Sequence, residues 1–529
     1  MADRVEWWRS GVIYQIYPRS FQDSDGDGIG DLAGIARRLD YVADLGVDAI
    51  WLSPIFPSPM ADFGYDVSEY RGIDPLFGDL AAFDRLIADV HARGLRLILD
   101  FVPNHSSDQH PWFVESRSSR TNPKRDWYIW RDPAPDGGPP NNWISDFGGS
   151  SWDYDAATGQ YYLHAFLKAQ PDLNWRNPEV RAAMTDVLRF WMDRGVDGFR
   201  IDVLWHIVKA EGLPDNPLNP AWTPAQTERD KLLQFNSTDQ PEAHAIAADF
   251  RALADSYGDR VLIGEIFLPN ARHARWYGSP EHPQVHLPFN FQLIENRWDA
   301  AVLHRVIVDY EASLPAFGWP NWVFGSHDAP RIAARIGEAQ ARVAAMLLLT
   351  LRGTPTLYQG DEIGIGKVDI PPDRVRDPQA LRQPHLDIGR DRSRTPMPWD
   401  DSPHAGFSTA EPWLPLNADW PMRNVAAQAT APDSMLNLYK ALLALRRAEP
   451  ALALGTLTLL DADADVLAYE RRLGVTRLLI ALNLGGQARP MPMPADATPG
   501  ERLLSTVTHS GGTMLAPNEG RVIRLEGSV

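Results

Sequence analysis

Short apolar stretches alternate with segments of helical periodicity along most of the chain. Eight stretches of strand length, bounded by glycine, proline and polar residues, predict buried strands at residues 12–18, 48–54, 95–101, 199–203, 260–266, 286–291, 322–328 and 354–360. Apolar residues with helical spacing predict helices at 33–45, 80–93, 178–194 and 434–447. This alternation predicts an α/β fold, specifically a (β/α)8 TIM barrel.

The alternation stops in three places, which indicates segments added to the barrel. The residues after the third strand are rich in Pro, Gly, Asn and Trp, and short alternating strands dominate the end of the chain. We therefore assign residues 1–104 to the first part of the barrel, 105–174 to an inserted B domain and 175–450 to the second part of the barrel, with a long excursion at 363–408, and 451–529 to a C-terminal antiparallel β domain.

Charged residues alternate with apolar ones in the fourth predicted strand. Phe199, Ile201 and Val203 are apolar, whereas Arg200 and Asp202 lie between them. Residues two apart on a strand point to the same side, so the arginine lies beside the carboxylate and favours its ionised form. An ionised carboxylate at a strand end suits a nucleophile, although a structural ion pair explains this stretch equally well.

Two further strands end in acidic residues. Glu265 ends the fifth strand and Asp328 the seventh, and Asp202 ends the fourth. The carboxyl ends of barrel strands face one site, so these three side chains should converge, together with Arg200, His105 and His327. Two carboxylates across a scissile bond are the groups that hydrolyse glycosides.

Acidic residues occupy every second position of a glycine-rich loop near the N-terminus. Asp23, Asp25, Asp27 and Asp31 would offer side-chain oxygens and Ile29 its carbonyl, as in the first half of a calcium loop. No glutamate occupies the twelfth position, so the full EF-hand pattern is missing. We expect a structural Ca²⁺, with Mg²⁺ as a possible substitute; the alternative is an Asp/Gly-rich turn without metal.

Net charge and the absence of cysteine exclude several kinds of binding partner and chemistry. The 529 residues carry a net charge of −18, which argues against nucleic acid and anionic membranes. There is no cysteine, so disulfides and thiolate chemistry are excluded, and a reducing cytoplasm is the expected location. The sequence predicts neither a signal peptide nor a membrane span. The expected partner is a small oligosaccharide; the oligomeric state stays open.

Four of these stretches together resemble the signature regions of the α-amylase family, glycoside hydrolase family 13. They are Asp-Phe-Val-Pro-Asn-His at 100–105, Gly-Phe-Arg-Ile-Asp at 198–202, Gly-Glu-Ile at 264–266 and Ser-His-Asp at 326–328. Gln-Pro-Asp-Leu-Asn at 170–174 and the stretch 390–399 resemble its α-glucosidase and oligo-1,6-glucosidase branch. The resemblance implies a barrel, an inserted domain and a C-terminal β-sandwich, and it supports metal binding at residues 23–31.

The resemblance also implies roles for the matching residues. Asp202 would be the nucleophile, Glu265 the acid/base, and Asp328 a stabiliser of the transition state. The residues expected to bind the substrate are Asp62, Tyr65, His105, Phe147, Phe166, Arg200, His327 and Arg390. For Phe147 and Phe166, packing inside the inserted domain is an equally good explanation.

The implied function is a retaining, exo-acting α-glucosidase that releases α-glucose from short α-glucosides such as maltose and isomaltose. A transglucosylase, a trehalose synthase or a strict oligo-1,6-glucosidase remains an alternative, and so does a non-catalytic relative such as the transporter-associated heavy chains. Valine at 203 goes with α-1,6 cleavage in the resembled branch, and strand alternation would point it away from Asp202. Ser326 departs from the usual asparagine, which could alter the position of His327.

Overall fold

A computed structural model describes residues 5–461, 465–508 and 511–526 and contains a closed barrel of eight parallel strands. The strands are β1 Ile13–Ile16, β2 Ala49–Leu52, β3 Arg96–Phe101, β4 Gly198–Ile201, β5 Val261–Glu265, β6 Leu287–Asn290, β7 Asn321–Val323 and β8 Thr354–Tyr358. Neighbours in sequence are neighbours in the barrel, and β8 pairs with β1. All eight predicted strands are present, including the weakly patterned sixth, so the predicted fold is confirmed.

Helices cover the outside of the barrel. They are α1 Leu32–Arg37, α2 Leu39–Leu45, α3 Leu80–Ala92, α4 Pro178–Asp193, α5 Pro241–Ser256, α6 Ala300–Ser313, α7 Glu338–Thr350 and α8 Met435–Ala448. The prediction of one helix at 33–45 was wrong, because the backbone leaves the helical region at Arg38 (φ −107°, ψ 7°). There the guanidinium lies 4.2 Å from the Trp399 ring and donates to Gln22, contacts that the local sequence does not specify.

Two strands end earlier than their apolar patterns predict. β4 stops at Ile201 and β7 at Val323, so Asp202 and Asp328 lie on loops just beyond the strands. Val203 has a left-handed backbone (φ 36°, ψ 45°), which is strained for a β-branched residue. The expectation that Val203 follows strand alternation is therefore wrong, because the chain turns before that residue.

The barrel interior is filled with side chains and is not a channel. Inward-facing residues of several strands form one cluster, which includes Trp51, Ile98, Val261, Ile263 and Phe289. A packed interior of this kind leaves space for a site above the layer, at the carboxyl ends of the strands.

Between β3 and α4 the chain forms its own small sheet. The antiparallel strands Trp130–Arg131, Trp152–Asp155 and Gln160–Leu163 follow the helix Pro111–Ser118. Phe113 stacks on Trp130 with 5.7 Å between ring centres, so aromatic residues build this core. This sheet lies within the segment predicted as an insertion; the domain boundaries themselves stay predictions.

A five-stranded antiparallel sheet follows the barrel. Its strands are β9 Thr456–Leu460, β10 Val466–Leu473, β11 Thr476–Asn483, β12 Thr498–Ser505 and β13 Gly520–Glu526, in the order β9-β10-β11-β13-β12. A two-stranded ribbon, Arg489–Pro490 with Met514–Leu515, packs on one face through Met491 and Leu515. The other face contributes Tyr469, Ile480 and Val522 to the main core, which attaches the sheet to the barrel.

Candidate active site

Arg200 lies at the centre of the carboxylate cluster above the barrel. Its Nη1 donates to Oδ1 of Asp202 at 2.6 Å and to Oδ1 of Asp100 at 2.9 Å, and its Nη2 lies 2.7 Å from Oε2 of Glu265. The side chain of Arg200 is 2% exposed, because it points inward from β4 between β3 and β5. The predicted convergence of strand-end residues is thus present in the structure.

Burial determines the protonation of this cluster. It raises the pKa of Asp202 well above its usual value, with Arg200 opposing and Glu265 and Asp100 adding repulsion. It also raises the pKa of Glu265, again against Arg200, and raises the pKa of Asp100 to about 6. Asp202, Glu265 and Asp100 all contact the one guanidinium of Arg200, so burial and their mutual repulsion favour a protonated carboxyl among the three. The expectation that Arg200 keeps Asp202 ionised counted the arginine alone and omitted this burial and repulsion.

Asp328 has the opposite environment. Its Oδ2 lies 3.0 Å from Nε2 of His327, and its Oδ1 accepts from Arg394 at 2.8 Å and from Arg390 at 3.4 Å. Burial would raise the pKa of Asp328, but the hydrogen bond from His327 and the charges of Arg394 and Arg390 hold it well below its usual value. Asp328 is therefore an anion over the working pH range.

The two histidines are neutral hydrogen-bonding groups. Burial lowers the pKa of His105 and of His327 to about 4 in each case. The rings of Tyr65 and Tyr17 lie nearly parallel to that of His327, with ring centres 5.4 and 5.8 Å away, the Tyr65 hydroxyl lies 2.6 Å from its Nε2, and Gln15 contacts its Nδ1 at 2.8 Å. These contacts hold His327 without help from residue 326, so the serine found there leaves the ring anchored.

An ion pair closes one end of the pocket. Nη2 of Arg390 donates to Oδ1 of Asp62 at 2.8 Å and to Oδ1 of Asp377 at 2.6 Å. Gln170, from the inserted segment, donates to the other oxygen of Asp62 at 3.3 Å. Sequence reasoning found Asp62 and Arg390 but missed Asp377, whose link to Arg390 exists only through tertiary contact.

The resulting cavity has a volume of about 310 Å³, the size of a small-ligand site. Its walls include all three candidate carboxylates and most of the predicted binding residues: Asp62, Tyr65, His105, Phe147, Phe166 and Arg390. Phe147 and Phe166 contact each other edge to face at 5.9 Å and also line the cavity. Arg200 and His327 lie behind the wall, where they contact the carboxylates that line it.

The pocket wall also contains residues that sequence reasoning missed. Trp205, His206, Gln379 and the ion pair of Asp146 with Arg229, at 2.8 Å, all line it. Phe267 is 43% exposed there and stacks on Phe291 with 4.0 Å between ring centres. Phe267 follows Glu265 by two residues, so strand alternation was the one available signal for it.

The acidic loop near the N-terminus has the donor set of a calcium site. Carboxylate oxygens of Asp23, Asp25 and Asp27 lie within 4.8 Å of one another, which fits oxygens about 2.3–2.6 Å from a shared Ca²⁺. Burial and the neighbouring aspartates raise the pKa of Asp27, although its hydrogen bond from Ile29 opposes this. Asp31 lies outside this group; its two oxygens accept from the N–H groups of Gly34 and Ser24 and cap α1.

Known proteins resemble the chain over nearly its full length. Residues 15–455 match the family described as Alpha amylase, catalytic domain. A Probable alpha-glucosidase of Rhizobium meliloti is 43% identical over 504 residues, covering 92% of this chain and 91% of that protein. An oligo-1,6-glucosidase of Heyndrickxia coagulans is 38% identical over 563 residues, which cover 99% of this chain and 100% of that protein. The crystal structure of the alpha-glucosyl transfer enzyme XgtA matches with a TM-score of 0.93 and 41% identity. The match covers 99% of this chain and 100% of XgtA.

The chain therefore belongs to the α-amylase family, and it is a glycoside hydrolase. Within that family it falls in the branch of α-glucosidases and oligo-1,6-glucosidases, as the motifs predicted. A non-catalytic relative is thereby excluded. Over residues 5–461, 465–508 and 511–526, no helix is long and apolar enough to cross a membrane.

Proposed function

We propose that the protein is a retaining, exo-acting α-glucosidase that releases α-glucose from the non-reducing end of short α-glucosides. The observation that carries this proposal is the pocket closed by Asp62 and Arg390, with Asp202, Glu265 and Asp328 around its interior. A closed end admits one terminal sugar and excludes the middle of a long chain. Maltose and isomaltose are the expected substrates.

The first step forms a covalent glucosyl-enzyme. In the form in which the proton shared by the cluster lies on Glu265, the Asp202 carboxylate attacks the anomeric carbon while the glycosidic bond breaks, and Glu265 transfers that proton to the departing oxygen. Oε2 of Glu265 accepts the Val203 N–H at 2.8 Å and faces Arg200, so the proton resides on Oε1. Both carboxyls contact the one guanidinium of Arg200, at 2.6 and 2.7 Å, and this proximity supports retention, since inverting enzymes keep the two carboxyls about 6.5–9.5 Å apart.

The second step releases glucose. Glu265, now ionised, takes a proton from water as the water attacks the anomeric carbon and the bond to Asp202 breaks. In both steps positive charge develops on the sugar ring, and the Asp328 anion next to it binds ring hydroxyls and stabilises that charge. Neutral His105 and His327 donate hydrogen bonds and do not add positive charge.

The product anomer tests this proposal. NMR of maltose hydrolysis in its first minutes should show the new non-reducing-end glucose as the α anomer, before mutarotation. Appearance of β-glucose first would refute retention.

A glucosyl-transferring or isomerising relative, such as a transglucosylase or trehalose synthase, is the second candidate. The resemblance to XgtA favours it, and so does Phe267, which lines the pocket and stacks on Phe291. Apolar rings there reduce access of water to the glucosyl-enzyme and favour a sugar acceptor. The ratio of transfer products to free glucose at rising maltose concentration separates the two.

A structural Ca²⁺ held by Asp23, Asp25, Asp27, Asp31 and the Ile29 carbonyl is part of the proposal, with Mg²⁺ as a possible replacement. The close approach of three of the carboxylates supports it. The ion would stabilise the loop and takes no part in the reaction. The cytoplasmic location expected from the cysteine-free composition stays a prediction.

A further inference from the structure

Arg394 lies beneath the loop that carries His327 and Asp328, and its side chain has no exposed surface. Its Nε donates to the His327 carbonyl at 3.0 Å, and its Nη2 donates to Oδ1 of Asp328 at 2.8 Å. A guanidinium presents its donors in a rigid fork. One side chain therefore sets both the main chain of the loop and the position of the carboxylate.

The other guanidinium near Asp328 is less able to do this. Arg390 pairs with Asp377 at 2.6 Å and with Asp62 at 2.8 Å, and it reaches Asp328 at 3.4 Å. Its charge is shared among three carboxylates, whereas Arg394 makes the shorter contact with Asp328. Arg394 is thus the principal cation of Asp328.

The loop needs support because it is not part of the barrel ladder. β7 ends at Val323, five residues before Asp328, and the Asp328 side chain is 37% exposed to the pocket. Ser326 accepts the Asp328 N–H at 3.1 Å and holds the main chain locally. The serine makes no contact with the Asp328 carboxylate in the described part of the chain.

Arg394 is a fully buried cation with an incomplete set of hydrogen bonds. Its Nη1 is buried without a hydrogen-bond partner in the described structure, and the guanidinium lies 5.5 Å from the Tyr17 ring. A fully buried cation has a large desolvation penalty. The Asp328 anion, whose pKa Arg394 helps to hold low, compensates part of that penalty, together with Tyr17 and Asp377.

We propose that Arg394 is a positioning residue, which holds Asp328 where it can stabilise the transition states of both steps. This rests on the proposed function, because Asp328 acts there on the bound glucosyl unit. Losing the contact should slow the reaction at the sugar ring, whatever the leaving group is.

Arg394→Met removes the charge, and Arg331→Met provides a matched control. Arg331 is also buried, donates to a carbonyl, that of Gln359, and lies 4.8 Å from the Tyr358 ring, but in the described structure it contacts none of the three carboxylates. For Arg394→Met we expect kcat to fall about 100-fold on both maltose and p-nitrophenyl α-glucoside, the usual effect of a misplaced group, while KM changes less than about threefold. Arg331→Met should lower Tm but keep kcat within about threefold of the wild type.

Arg394→Lys provides a second test if the Arg394→Met variant does not fold. Lysine keeps the charge but cannot span both acceptors as a fork does, so we expect kcat about tenfold below wild type, with KM again little changed. Full activity of Arg394→Lys would overturn the proposal, as would equal losses of kcat in Arg394→Met and Arg331→Met. Transfer of glucose in place of hydrolysis by the wild type would refute the proposed function and still permit this test, because both reactions begin with the same glucosylation transition state.

Discussion

The main-chain N–H of Val203 donates a 2.8 Å hydrogen bond to Oε2 of Glu265. The residue that follows Asp202, the proposed nucleophile, thus orients Glu265, the proposed acid, through its left-handed backbone. The same turn exposes the Val203 side chain to the pocket, so its chemistry can affect the sugar that leaves.

Val203→Thr should lower the ratio of kcat/KM for isomaltose to that for maltose. Threonine keeps the branched shape and the backbone strain but replaces one methyl with a hydroxyl, which is worth about 1–3 kcal/mol in discrimination. Initial rates on both disaccharides measure it, and Ile201→Val, buried in β4, controls for altered packing. An unchanged ratio would assign linkage choice to the loops at 206–224 and 363–399 instead.

Asp202→Asn should leave the fold intact and reduce turnover by about 10⁴-fold or more, since an amide cannot form the glucosyl ester. Thermal melts check the fold. Asp202→Gly with added azide provides a sharper test: azide should enter from the vacated side and give β-glucosyl azide. An α-glucosyl azide, or intact activity of Asp202→Asn, would contradict the assignment of the nucleophile.

Glu265→Gln should separate substrates by their leaving groups. We expect kcat/KM for maltose to fall about 10²–10⁴-fold and kcat/KM for a dinitrophenyl α-glucoside to fall far less. The glucose leaving group of maltose needs a proton, whereas dinitrophenolate leaves without one. Burial raises the pKa of Glu265, so the wild type retains its acid form toward neutral pH and loses kcat/KM for maltose as pH rises through that pKa. The glutamine variant should lack this alkaline limb; equal losses on both substrates would argue against an acid role.

Asp23→Ala should lower Tm and abolish any rise of Tm with added calcium. An ion that binds the folded state alone stabilises it by about 2.7 kcal/mol at a concentration 100 times Kd. Calorimetry with calcium and with EGTA measures this, and Asp89→Ala, at an exposed site on α3, is the control. Chelator-insensitive melting of the wild type would show that the loop is a turn without metal.

Lys209→Met should lower the free energy of unfolding, although Lys209 does not line the pocket. The Lys209 side chain is 1% exposed, and its Nζ lies 2.6 Å from Oδ2 of buried Asp172 and 2.7 Å from Oδ1 of Asn104. Removing one partner of a buried pair typically costs about 3–5 kcal/mol, since the other charge is left uncompensated. Urea unfolding measures the loss, and adding Asp172→Asn should recover part of it; no recovery would mean that packing dominates.

The sequence by itself determined the barrel and the convergence of the three carboxylates in one pocket. Buried parallel strands are short apolar runs, and parallel order brings every carboxyl end to one face whatever the loops do. Asp202, Glu265 and Asp328 could therefore be placed together from their positions after such runs. The left-handed turn at Val203 could not be predicted from the sequence. Valine seldom adopts this conformation, and the Glu265 carboxylate that accepts the Val203 N–H lies 62 residues away.

Tertiary structure alone decided how those groups are held and charged. Arg390 meets Asp62 across 328 residues, and Arg394 meets Asp328 across 66, so neither pair has a local pattern. The raised pKa of Asp202 and the lowered pKa of Asp328 likewise depend on which cations and carboxylates surround each one after burial. Electrostatic interactions act through space at distances of a few ångströms, and only the folded chain specifies which charges come that close.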